Sequence, residues 1–173
     1  MLEELLAAPG IAALLTYLHL PETRAAVLLP GAASLAIVAY YARRGRISGT
    51  LQLLWLLALP VSYFCARWIV TAEYEALYIY SAFSVICALL LFKRILVPPA
   101  LAFALTFLSL WWVDMTRAFC WALECGDPID QFYLGVGGAG LRDALLIVPL
   151  ATGLMVAYAA RRVRSRGERL VEL

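Results

Sequence analysis

Histidine occurs once in the 173-residue chain, at His19, and the four charged residue types together make up only 15% of it. One imidazole builds neither a histidine-based metal centre nor a Ser/His/Asp set, so no metal and no cofactor are expected. The four cysteines, Cys65, Cys87, Cys120 and Cys125, include no Cys-x-x-Cys pair. Internal repeats, low-complexity tracts and linkers that would part the chain into separate domains are also missing.

What the chain has is apolar sequence, 64% of all residues. That is far more than one soluble core of this size can hide, which points to a polytopic membrane protein. The charges are bunched. Arg43, Arg44, Arg46, Lys93, Arg94, Arg161, Arg162, Arg164, Arg166 and Arg169 fall between or after apolar runs in a way that places them all on one side of a membrane, the cytoplasmic side. Glu3 and Glu4 stand where a secretory signal would be basic, so the N-terminus does not read as one.

The fold class expected is all-α, a transmembrane bundle of five spans, possibly six, with an N-terminal interfacial helix. Residues 1–22 form an interfacial or re-entrant helix, broken by Pro9-Gly10 and closed by Pro21, with Tyr17 and His19 at headgroup level. Residues 23–160 form the bundle, with an outer loop at 120–140, and residues 161–173 form a basic cytoplasmic tail. The spans expected are Ala25 to Tyr41, Leu51 to Val70, Ala76 to Phe92, Leu96 to Asp114 continuing as helix to about Leu123, and Leu141 to Ala160. The C-terminus is then cytoplasmic, and a bacterial inner membrane is the expected location. Small residues at four-residue spacing, Ala32 with Ala36, Ala100 with Ala104 and Gly153 with Ala157, suit close helix packing in lipid.

Counting about 1.5 Å per residue outward from the basic clusters places Arg67, Asp114 and Asp143 at one level, roughly 27 to 30 Å away. Arg117 is one helical turn beyond Asp114, and Arg142 adjoins Asp143. These five residues form the candidate outer polar site, either as an organised ring or as charges that merely fix helix depth. Pro30, Pro60 and Pro149 each lie six or seven residues inward of Arg24, Arg67 and Asp143, so aligned kinks are expected to splay the outer third into a vestibule. Trp68, Trp111, Trp112 and Trp121 read as an outer aromatic belt.

Cys120 and Cys125 flank the approach to Gly126-Asp127-Pro128, and a disulfide between them is a candidate in an oxidising compartment. Membrane thiol oxidoreductases resemble the chain in size and helix count but depend on Cys-x-x-Cys, which disfavours that class. Gly135-Val-Gly-Gly-Ala-Gly140 lacks the lysine and the preceding strand of a phosphate-binding loop. Its approach to Asp143 is similar in outline to the Gly-x-Gly-Asp of membrane aspartyl proteases. It departs from that motif because Asp143 comes three residues after the last glycine and Asp114 would have to supply the second carboxylate, so no family is assigned.

The function expected is that of a small membrane subunit acting by protein contact, as sensor or assembly factor, through an outward polar and aromatic surface. A solute or ion pathway through the proline-lined vestibule is the alternative, and a membrane enzyme using Asp114 or Asp143 is the second. Expected partners are membrane lipids and other membrane proteins or further copies of the chain. Nucleic acid is not among them, since the basic tail belongs to the membrane face.

Overall fold

In the computed structural model, which describes residues 9–70, 75–165 and 171–172, one long helix forms the axis of a helical bundle. The helices and strands are α1 (Pro9–His19), α2 (Pro21–Arg43), α3 (Gly49–Cys65), β1 (Arg67–Val70), β2 (Glu75–Tyr78), α4 (Ala82–Phe92), β3 (Ile95–Leu96), α5 (Pro99–Cys125), α6 (Ala144–Ser165) and β4 (Val171–Glu172). The axis is α5. Pro98 in an extended conformation precedes it, and Pro99 takes a first-turn position where no amide donor is missed. Gly126 ends it in the left-handed conformation, φ 72°. Its 27 residues span about 40 Å. Within its apolar window 56% of residues are buried, against 22% in α2 and 28% in α6, so the other helices pack around it.

By length and composition α2, α5 and α6 can each cross a membrane. The other two expected spans end differently. Leu51 to Val70 is helical only to Cys65, and Ala76 to Phe92 only from Ala82, because the aromatic and β-branched sequence between them forms an antiparallel hairpin with Arg67 opposite Tyr78. A two-stranded hairpin keeps unpaired strand edges, which hydrocarbon does not tolerate, so it belongs at or beyond the membrane surface. What remains helical is 17 residues in α3 and 11 in α4, about 25 and 16 Å. The five or six full-length spans expected from apolar runs are therefore three long helices plus a shorter pair. Ser62 Oγ accepts the Ala82 amide at 2.9 Å and fixes where the pair meets.

Two clusters make the core. One joins α3, α4, α5 and α6 through Leu51, Ala58, Phe83, Leu101, Leu105 and Val156. The half-buried Trp55 ties α3 to the axis, its indole donating to Leu105 O at 3.0 Å and to Ser109 Oγ at 2.8 Å. The second cluster, near the far end of α5, joins Tyr17, Ala26, Val27, Phe107, Leu110, Tyr133, Val136 and Leu145. Tyr17 is thus buried within the protein, while His19 is exposed. Of the small-residue pairs, Gly153 does bring helices close: a Cβ there would lie 3.3 Å from both Pro99 O and Phe103 Cβ. Ala32 and Ala36 are both exposed.

Candidate functional site: an acidic and aromatic cavity

At the end of α5 that carries Asp114, the hairpin, α5, the loop after it and the start of α6 enclose a cavity of about 670 Å³. Asp114 lines it and is only 9% exposed, a position set by its place on the inward stripe of α5 beside Leu110 and Val113. The backbone of Gly137 and the carboxylate of Asp143 are the groups whose fields act on its carboxyl, and Asp143 shares the cavity lining with it. Among the described residues no cation comes within ion-pair distance of Asp114.

Asp143 closes the tight turn Gly140–Arg142 and heads α6. Its Oδ1 accepts the Leu145 amide at 2.9 Å and its Oδ2 the Ala139 amide at 3.3 Å, so the side chain caps the helix and pins the glycine segment to it. That segment rests on α2. Gly137 has φ 72°, and a Cβ on it would run into Val27 Cγ2. The backbone of α2 is widened here: Pro30 has no amide to give, and the Leu29 amide reaches back to Arg24 O, making Arg24–Leu28 a π turn. The widened turn presents Ala26 and Val27 to the loop.

The aromatic wall comes from two places. Trp68 of β1 and Trp121 of α5 stack with ring centroids 4.9 Å apart, and both line the cavity together with Phe132. These two indoles are therefore part of the site, while Trp111 and Trp112 are 38% and 40% exposed, as a belt requires. On the loop, Tyr133 donates to Gly10 O at 2.6 Å. Burial, with the nearby Asp130 carboxylate second, holds its phenol above the usual range, so it remains a donor at neutral pH.

The five charges expected at this level separate into two groups. Asp114, Arg142 and Asp143 line the cavity. Arg117 turns away: its Nη2 donates to Ala66 O at 2.6 Å and its guanidinium lies 4.6 Å over the Tyr63 ring, where it satisfies the negative end of α3. Arg67 is exposed on β1 and is not part of the lining. Among the described residues no ion pair links the five, so the ring does not close.

Two further expectations are corrected. Cys120 and Cys125 are not joined by a disulfide: they lie on one continuous helix, where five residues of separation set their Cα atoms about 8.7 Å apart, too far for one. Cys120 instead lies 3.5 Å from Tyr63 Oη. Nor do the three prolines line this cavity together: Pro30 and Pro149 are buried in packing and Pro60 is exposed on α3.

Tyr17, Asp127, Gln131 and Phe132 join this end of the molecule without any mark in the sequence that sets them apart as site residues. Tyr17 donates to Val136 O at 2.9 Å and lies within the fields of Asp114 and Asp143. The nearest signal in the sequence is Tyr17 itself, one of three polar side chains, with Thr16 and His19, on the mostly apolar α1. No protein-family model matches the chain, and no match emerges among curated proteins or solved structures.

Proposed function

We propose that this chain is an integral membrane subunit that works by contact, receiving a cationic group in the acidic and aromatic cavity. The observation that carries the reading is the pairing of a buried carboxylate, Asp114, with a stacked indole wall, Trp68 and Trp121, around a space of about 670 Å³. An amine or guanidinium seated there gains both a counter-charge and an aromatic face. Asp114 has no such partner among the described residues, and burial makes an uncompensated carboxylate costly, so an incoming cation is favoured. Such a group is supplied equally well by a lysine or arginine of a partner or by a small amine, which suits an assembly factor or a sensor.

The cavity end faces outward and the basic end faces the cytoplasm in this reading, with the C-terminus inside a bacterial cytoplasmic membrane. The short pair α3 and α4 packs beside the three long helices, with the hairpin on the outer surface. The geometry offers less to an enzyme built on Asp114 and Asp143. Both oxygens of Asp143 already hold backbone amides, so its carboxylate is committed to the turn.

The test is co-purification in mild detergent from native membranes with wild type, Asp114→Asn and Trp121→Ala. A membrane partner or bound amine held by wild type and lost, by about tenfold or more, from both variants supports contact through the cavity. Full retention in both, with the variants folded, refutes it.

A further inference from the structure

The opposite end of the bundle holds a second cavity, of about 580 Å³. The loop after α2 brings Arg46 and Ser48 to it, and the last turns of α6 bring Arg161 and Arg164. Three guanidinium groups from segments far apart in the chain thus face one concave space. Among the described residues its lining contains no carboxylate. Arg46, Arg161 and Arg164 are all exposed, and Arg164 also has an interaction within the protein.

The facing wall is apolar and includes Leu96, Pro98, Pro99 and Ala160. Pro98 and Pro99 carry no amide protons, so the start of α5 contributes few backbone donors and recognition falls to the arginines. Guanidinium forks match phosphate oxygens with paired hydrogen bonds, which a point charge does not do. The depth is also informative. Arg44 lies 4.4 Å over the Tyr40 ring and Arg162 5.7 Å over the Tyr158 ring, both tyrosines being exposed, and cations paired with exposed tyrosines are the signature of a bilayer interface. In the orientation proposed above, the cavity then opens at headgroup level.

We propose that this basic cavity binds a phosphate group. Its half-apolar lining and its depth favour the phosphodiester of an anionic lipid headgroup over free phosphate as the source. The lipid would bridge the loop after α2, the entry to α5 and the end of α6, fastening three segments at one point.

The experiment uses the full chain in an uncharged detergent, titrated with short-chain phosphatidylglycerol and read by native mass spectrometry, with inorganic phosphate as a separate ligand and competitor. Arg46→Gln with Arg161→Gln is expected to weaken lipid binding by about tenfold or more. Arg44→Gln with Arg162→Gln removes the same charge from the same end but outside the lining, and is expected to change binding by less than about twofold. Arg46→Lys with Arg161→Lys keeps the charge but loses the fork, and is expected to fall between them. These arginines are exposed, so an unchanged thermal midpoint is expected in each variant and confirms folding. Inorganic phosphate that binds alone and displaces the lipid at micromolar concentration supports the site with free anion as its source, and phosphate without effect supports the lipid. Equal losses in the two glutamine pairs, or none in the first, would show diffuse surface attraction and overturn the proposal.

Discussion

Substituting Gly137 tests whether the glycine segment is truly seated on α2. Gly137 and Gly126 share φ 72°, but a Cβ on Gly126 meets nothing within 4 Å, whereas one on Gly137 enters the space of Val27 Cγ2. An alanine in left-handed backbone costs about 1–2 kcal/mol at either position. At Gly137 overpacking adds about 1–3 kcal/mol, because Val27 is buried against Phe107 and Val136 and has little room to retreat. Gly137→Ala should therefore lower stability by about 2–5 kcal/mol and Gly126→Ala by about 1–2. Denaturant unfolding of the detergent-solubilised protein reads both. The decisive arm is the double mutant: Val27→Ala removes the obstructing methyl, so on that background the cost of Gly137→Ala should fall to that of Gly126→Ala, a coupling of about 1–3 kcal/mol. Equal costs for the two glycines, or strict additivity with Val27→Ala, would show that the loop does not rest on the π turn.

Asp143→Ala should cost about 1 kcal/mol by uncapping α6 and freeing the glycine segment, while Asp143→Asn, an equally good cap, should stay within about 0.5 kcal/mol of wild type in the same unfolding assay. A larger loss for the asparagine variant would mean that the charge, and not the cap, is what the turn uses. In sealed membrane vesicles of known orientation, cysteines placed at Gly45 and at Ile129 in a background without native cysteines should react with an impermeant maleimide from opposite faces. Labelling from the same face would remove the proposed orientation.

Where the chain is regular, its sequence is informative. Pro98-Pro99 at one end and Gly126 at the other mark the long axial helix within a few residues, and counting along helices puts Asp114 and Asp143 at one level, where the cavity holds them both. Depth counting fails to give direction, however. Asp114 and Arg117 are neighbours on one helix, yet the arginine serves Ala66 O, and that depends on where α3 stops. The stop itself is hidden, because a short apolar run such as Trp68 to Val70 fits a buried helix and a strand equally well by periodicity. The stacking of Trp68 on Trp121 depends on that hairpin and is invisible in the sequence for the same reason. The burial of Tyr17 depends on a loop more than a hundred positions away, a separation no local pattern records.

The π turn at Arg24–Leu28 has a bearing on how the molecule tolerates change in chain length. Such a turn is one residue more than regular winding needs, and it sets the angular phase between the two parts of the helix on either side of it. Deleting Ala25 would remove that extra residue, so uninterrupted α winding returns while both halves of α2 keep the faces they now present. A deletion within Leu29–Arg43, which has no such turn to absorb it, would instead rotate one part of α2 by about 100° against the other and pull its contacts with the axial helix out of register. A single-residue deletion is thus tolerated by the span at the π turn and not beyond it, and its cost there falls on the contact of Ala26 and Val27 with the glycine segment.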